Sequence, residues 1–250
     1  MGDHGEVDIS SLASRFAVSK MTIRRDLEVL EANGVIRRLV GGRAVVVESK
    51  NREPAFEARA ESSSGSKAHI GRAVAEMIAD DEVVFFDGGS TVLAAARALR
   101  GSGRRLTVLT RSILIASELA DEPGIEIFVL GGRLKASERV TSSSAQADDL
   151  QLYNVDTYVM GISGVHPERG LTDYDPDESV GKRLALERSD RVILAFDRSK
   201  LGRVLLSRVA GLADVDVAVT DADQEDPALK AIAGQLHVVR VERAADDPAS

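Results

Sequence analysis

From residue 67 onward the chain repeats one arrangement, a short apolar run followed in most cases by a helical stretch. The runs are "EVVFFDGG", "LTVLT", "IEIFVLGG", "TYVMGISG", "RVILAFD", "VDVAVTD" and "LHVVRV". Helical patterns lie at Ser66 to Met77, Thr91 to Leu99, Ser112 to Ala120, Glu178 to Arg188 and Pro227 to Ala233. Strands that are apolar on both faces need cover on both sides, and crossover helices supply it when the strands run parallel. The spacing therefore predicts a mostly parallel α/β sheet over residues 67–245. A hydrophobic content of 44% is enough to fill such a core.

The first 50 residues follow a different pattern. Ile9 to Phe16 reads as a short helix capped by Ser10 or Ser11, with Leu12, Ala13 and Phe16 on one side. A tight turn leads into "SKMTIRRDLEVLEANG", where Ile23, Leu27 and Leu30 recur at helical spacing. Ser19 is a good N-cap and Asn33-Gly34 a good stop. Two short helices joined by a tight turn make a helix-turn-helix. "VIRRLVGGRAVVV" then reads as a hairpin around Gly41-Gly42, which would form a wing. The stretch 51–66, interrupted by Pro54 and a Ser/Gly run, reads as a linker. These patterns divide the chain into a winged helix-turn-helix (1–50), a linker (51–66) and an α/β domain (67–245).

Charge is spread unevenly. The whole chain is acidic, with a formal net charge of −8, so it is no general polyanion binder. Between Ser10 and Val45, however, seven basic residues face three acidic ones, a net of +4. Ser19, Lys20, Thr22, Arg24 and Arg25 fall on the outer side of the second helix, and Arg37, Arg38 and Arg43 on the wing. A solvated charged face and a DNA-reading face both fit that helix alone; the wing and the turn before it favour double-stranded DNA. The absence of cysteine excludes disulfides and thiol chemistry. The four histidines show no metal spacing. No run is long enough to span a membrane, so a cytoplasmic location is the default.

In an open parallel sheet, ligands bind outside the carboxyl ends of the strands. Several runs end there in small or polar residues: Asp87, Gly88, Gly89, Ser90 and Thr91; Thr110 and Arg111; Gly131, Gly132 and Arg133; Gly161, Ser163 and Gly164; Asp197 and Lys200. "DGGST" before a helix places two glycines, two hydroxyls and free backbone N–H groups at one spot, a suitable phosphate cradle. The glycines also fit a plain tight turn. The stretch is neither GxGxxG nor a P-loop, so no dinucleotide, ATP or other cofactor is expected. Glu178 and Lys182, four residues apart, fit either a helix salt bridge or a ligand site.

The sequence resembles bacterial DeoR-type transcriptional regulators over nearly its whole length. The family pattern V-S-x-x-T-I-R-R-D-L followed by L-E-x-x-G is present as "AVSKMTIRRDLEVLEANG". The family's R-x-H-G-G-A wing appears as "RRLVGGRA", with Val40 in place of His and with Arg43 added. D-x-G-S/T-T matches Asp87, Gly89, Ser90 and Thr91. The later family elements match Gly131-Gly132, "VMGISG", "GLTDYDPDESVGK" and "DRSK". The resemblance implies a repressor of sugar catabolism genes, binding DNA as a homo-oligomer and controlled by a phosphorylated sugar-type effector. It implies a sensor domain similar to ribose-5-phosphate isomerase, with Lys67, Arg111, Lys182 and Lys200 available to add charge. Arg111 stands where the family commonly has Asn, and as an extra cation it would select a more anionic ligand. The family also has a bracing helix before the first one here, so the module is expected to lack its first helix. The isomerase general base would follow "TYVMGISG", and Gly161, Ile162, Ser163 and Gly164 carry no carboxylate. Binding without turnover is expected, with a phosphosugar isomerase-like enzyme as the alternative.

Overall fold

A computed structural model describes residues 6–16, 18–32, 36–39, 43–46, 53–142 and 150–244. The chain divides into two compact units, residues 1–52 and 53–250.

In the first unit, β1 (Glu6–Asp8) leads into α1 (Ile9–Phe16) and α2 (Lys20–Ala32), then β2 (Ile36–Leu39) and β3 (Arg43–Val46). β2 and β3 pair antiparallel, and β1 joins the free edge of β3. Asp8, rather than Ser10 or Ser11, caps α1: its carboxylate accepts from the N–H groups of Ser10 (2.8 Å) and Ser11 (3.1 Å). A carboxylate at that end also matches the helix dipole. Among the described residues Ile9, Ala13, Ile23 and Leu27 form an apolar core cluster with Leu12 against them. Phe16, expected in that core, is 61% exposed. It follows Arg15 at the end of α1, where the guanidinium lies 6.0 Å from its ring centroid. Asn33-Gly34, Gly41-Gly42 and the side chain of Leu30 lie outside the described residues.

The second unit is built on one seven-stranded sheet. Its strands are β4 (Val83–Phe86), β5 (Leu106–Thr110), β6 (Ile125–Val129), β9 (Val155–Gly161), β12 (Ser189–Ala195), β14 (Val217–Thr220) and β15 (His237–Arg240). Each falls on one of the seven apolar runs. The order is β15-β14-β12-β9-β4-β5-β6, and every adjacent pair is parallel. Alternate residues face opposite ways along each strand. Val84, Phe86, Val108, Val159, Ile193 and Ala195 pack under α4 (Ser64–Glu76), α5 (Ser90–Ala98) and α6 (Ile113–Leu119). Phe85, Tyr158, Met160, Val192, Leu194 and Ala218 belong to the opposite core, with α7 (Pro176–Glu187) and α8 (Pro227–Ala233). At Gly71 of α4 an added Cβ would stand 2.5 Å from the backbone carbonyl of Ala94, so α4 and α5 meet backbone to backbone.

Two features go beyond the sequence pattern. β10 (Gly164–His166), β11 (Gly170–Asp173) and β13 (Ser207–Ala210) form a small antiparallel sheet whose Val165, Leu171 and Val209 enter the second core. β7 (Arg133–Lys135) and β8 (Val140–Ser142) form a hairpin. The stretch expected to be a linker is also structured in part. α3 (Phe56–Glu61) and the start of α4 occupy it, because Phe56 is buried in the first core.

Candidate functional site

In the first unit, Ser19 caps α2 as its position predicts. Its Oγ accepts from the Thr22 N–H at 3.1 Å and lies 2.8 Å from the Thr22 Oγ1. Ile23 and Leu27 turn inward, which leaves Lys20, Thr22, Arg24 and Arg25 exposed on one helix. Arg37 and Arg38 sit on β2, and Arg43 starts β3. Their side chains lie outside the described residues.

In the second unit the strand order places a switch point between β4 and β9. From β4 the chain winds outward to β5 and β6, and from β9 it winds the other way to β12, β14 and β15. Such a crevice is where open α/β sheets bind ligands. A cavity of about 590 Å³, its open mouth included, lies there. The loop Asp87-Gly88-Gly89 and the first residues of α5 form one wall. Gly89 takes φ 111°, a left-handed value that favours glycine. An added Cβ at Gly88 would stand 2.7 Å from Cγ1 of Val140, and one at Gly161 would stand 2.9 Å from the Gly88 carbonyl oxygen. Both glycines therefore permit close approach.

Three groups of charge surround this space. The deepest centres on Asp87, which is 1% exposed. Its Oδ1 accepts from the Arg111 guanidinium at 2.9 Å and its Oδ2 from Lys182 Nζ. Lys182 also donates to the Gly161 carbonyl at 2.8 Å and lies 3.6 Å from Asp173. Burial pushes the Asp87 carboxyl up, but Lys182 and Arg111 outweigh it and hold it below the usual carboxylate range. Lys182 is likewise opposed by burial, and Asp87 and Asp173 hold it above the ordinary lysine range. The second group sets Arg59 of α3 between Glu53, at 3.1 Å, and Glu138. Burial is the main cause that pushes Glu53 up to about 7, against the pull of Arg59 and with help from Glu138. The third joins Lys135 to Asp175 at 2.8 Å and to Glu178 at 2.7 Å.

Of the residues expected here, Asp87, Gly88, Gly89, Ser90, Thr91, Arg111, Gly161, Ser163, Glu178, Lys182 and Lys200 line the cavity. Lys200 forms no salt bridge among the described residues; burial lowers its pKa despite the opposing pull of Asp197. Thr110, Gly131, Gly132, Arg133, Gly164 and Asp197 do not line it. Thr110 instead accepts from the Ser112 N–H at 3.0 Å. Gly131, Gly132 and Arg133 lead exposed into β7. Gly164 gives room to Thr172, whose Oγ1 would lie 2.6 Å from an added Cβ. Asp197 caps a short 3-10 turn, accepting from the Ser199 N–H at 2.9 Å. Lys67 donates to the carbonyls of Arg59 and Ser62 at the end of α3.

Two expectations are corrected. Arg111 is no surplus cation, because its charge is matched by Asp87 inside the protein. Glu178 and Lys182 do not bridge each other: Lys135 takes the one and Asp87 the other. The cavity is also richer in carboxylates than the sequence suggested. Asp173, Glu53 and Glu138 join Asp87 and Glu178, each within a salt bridge. Glu53 and Arg59 were hidden in a Pro-interrupted polar stretch, where the lone Phe56 was the available signal of burial. Glu138 sits in a hairpin turn with no sequence pattern to mark it.

Residues 1–50 match the DeoR-like helix-turn-helix domain and residues 62–222 the DeoR C terminal sensor domain. The HTH-type transcriptional repressor GlcR of Bacillus subtilis (strain 168) is 33% identical over 87% of this chain and 83% of its own. The Glycerol-3-phosphate regulon repressor of Escherichia coli (strain K12) is 32% identical over 87% of this chain and 85% of its own. A ribose 5-phosphate isomerase A structure from Methanocaldococcus jannaschii aligns at 15% identity over 58% of this chain and 56% of that one, with a TM-score of 0.41. A helix-turn-helix followed by this sensor domain, with relatives named as regulators along nearly the same length, makes the chain a DNA-binding transcriptional regulator of the DeoR family.

Proposed function

We propose that this regulator is a repressor of sugar-type catabolic genes, released or tightened by a phosphorylated sugar-type metabolite bound in the switch-point cavity. The observation that carries the reading is the Gly88-Gly89-Ser90-Thr91 loop at the start of α5, opening into that cavity. Backbone N–H groups at a helix start, together with the positive dipole end, suit a phosphate. Lys200 adds an amine on the same cavity. Glu178, already held by Lys135, suits sugar hydroxyls as an acceptor. The name of the Escherichia coli relative, a Glycerol-3-phosphate regulon repressor, agrees with a phosphorylated ligand.

On the DNA side, Lys20, Thr22, Arg24 and Arg25 would enter the major groove, with Arg37, Arg38 and Arg43 on the flanking phosphates. One module spans too little DNA for tight specificity, so a homo-oligomer on paired half-sites, acting in the cytoplasm, completes the reading. A ligand alters DNA affinity only by its preference for one state of the protein.

Calorimetry with glycerol against glycerol 3-phosphate, and glucose against glucose 6-phosphate, tests the cradle on wild type and Ser90→Ala/Thr91→Ala. Phosphorylated compounds should bind and their parents should not, and the double variant should lose at least tenfold. Equal binding of the unphosphorylated partner, or full affinity in the double variant, refutes the cradle.

A further inference from the structure

Arg59 occupies an unusual position. It lies on α3, seven residues after the end of the DNA-binding unit at residue 52, yet its side chain lines the sensor cavity. The guanidinium is 13% exposed and bridges two carboxylates that are about as buried, Glu53 at 14% and Glu138 at 10%. Its Nε donates to the Pro54 carbonyl at 3.1 Å, and the guanidinium lies 5.7 Å from the Phe56 ring centroid. The Arg59 carbonyl in turn accepts from Ser90 Oγ, the first residue of α5, at 3.3 Å. One residue thus connects the segment leaving the DNA-binding unit, the hairpin turn at Glu138 and the loop that faces the ligand.

The charge balance around it is uneven. One cation serves two carboxylates, whereas Asp173 and Glu178 on the same cavity have Lys182 and Lys135 as their own partners. A planar guanidinium presents paired donors that match two oxygens of one anion as well as they match two carboxylates. A phosphate entering the cavity can therefore satisfy Arg59 in place of Glu53 and Glu138. The carboxylates it displaces keep 14% and 10% of their side-chain surface open to solvent, which can take up their charge once they turn outward. Burial also pushes the Glu53 carboxyl up to about 7, so its neutral form is within reach near neutral pH.

We infer that Arg59 is an anion-binding residue of the sensor cavity, and that a bound anion exchanges for Glu53 and Glu138 and so releases the segment joining the sensor to the DNA-binding unit. The inference rests on the reading of the cavity as an anion site. It adds a binding residue from outside the sheet-end loops, and a route by which occupancy reaches residue 53.

The test uses the full chain and inorganic phosphate as the probe, titrated calorimetrically at pH 7.5. Arg59→Ala should weaken phosphate at least tenfold, and Arg59→Lys should fall between it and wild type. Glu138→Gln should tighten phosphate at least threefold, because it removes a competitor while leaving the shape. A purely structural Arg59 would make Glu138→Gln less stable without changing phosphate affinity, and that result overturns the inference even if Arg59→Ala fails to fold. Saturating phosphate should also speed exchange of the Arg59 and Ser62 amides, which bond to Ala55 and Ala58, at least threefold. Unchanged exchange overturns the release. Ser90→Ala/Thr91→Ala runs beside these. Loss of phosphate there with wild-type behaviour at Arg59 removes Arg59 and leaves the cradle. Loss in the Arg59 variants alone removes the cradle and leaves Arg59. Wild type that does not bind phosphate at tens of millimolar removes both.

Discussion

Helix α2 carries Lys20, Arg24 and Arg25 in the open, whereas the sensor cavity encloses Asp87, Arg111 and Lys182 together. In the first unit the buried residues among those described are apolar (Ile9, Ala13, Ile23 and Leu27), and Lys20, Arg24 and Arg25 take no part in that cluster. In the second unit charge belongs to the fold, since Arg111 and Lys182 are matched by a carboxylate as deep as they are. The difference teaches how to separate function from stability. A surface reader can lose its charges and stay folded, while a buried site cannot lose one partner without stranding the other.

The sharpest way to break that contrast is Asp87→Ala. It leaves Lys182 and Arg111 buried without their carboxylate, which typically costs about 3–5 kcal/mol. Urea denaturation should show a loss of that size in the sensor unit, and a change under about 1 kcal/mol would mean that the charges are not part of the fold.

Next in size is a pH effect. The folded protein holds Glu53 at about 7 against an ordinary 4.5, so the folded state binds its proton more tightly than the unfolded chain. That stabilisation is complete below about pH 4.5 and is lost as pH rises through about 7. A tenfold difference in proton affinity between the two states is worth about 1.4 kcal/mol, so wild type should lose up to about 3 kcal/mol relative to Glu53→Gln across that range. Parallel stability curves for the two proteins would remove Glu53 as the cause.

Arg24→Ala and Arg25→Ala carry the opposite expectation. Each should lose about 1–3 kcal/mol of operator affinity if it reads a base, or flatten the salt dependence if it holds a phosphate. Melting temperature should not move. Gel shifts at two salt concentrations separate the two roles, and a variant that melts early would show that the surface charges also support the unit.

The smallest effect belongs to Ser19→Ala. Loss of the cap on α2 should cost about 1 kcal/mol, read as faster amide exchange at Thr22 and Ile23. Unaltered exchange would mean that apolar packing, and not the cap, sets the helix start.

Legibility followed the same division. The seven sheet strands were readable because residues such as Val84, Phe85 and Phe86 are apolar on both faces, a pattern that only a covered strand needs. The α2 helix was readable from Ile23 and Leu27 at helical spacing. The antiparallel strands β10, β11 and β13 were not. Thr172 and Asp173 are buried there, Thr172 Oγ1 accepting from the Leu205 N–H and Asp173 lying beside Lys182, partners that no local pattern encodes. The cavity was half readable for a related reason. The Asp87–Thr91 stretch stood out in sequence, but the other strand ends with small or polar residues could not be ranked, and topology favours those beside the β4 and β9 switch point. Asp87 and Gly161 lie there, while Gly131 to Arg133 lie beyond β6 at the sheet edge. Arg59 and Glu53 come to the cavity through Phe56, whose burial depends on a core assembled from distant segments.

The close seating of α4 on α5 at Gly71 limits how this sensor can signal. Any side chain there would drive two backbones apart, so the middle of α5, at Ala94 and Ala95, behaves as a fixed anvil rather than a hinge. Work done by an arriving metabolite must go where there is slack, in exchangeable salt bridges and the short helix α3. The molecule is therefore suited to trade partners rather than to change shape at its core. Loosening Gly71 with a larger residue would dull that response by letting the anvil give.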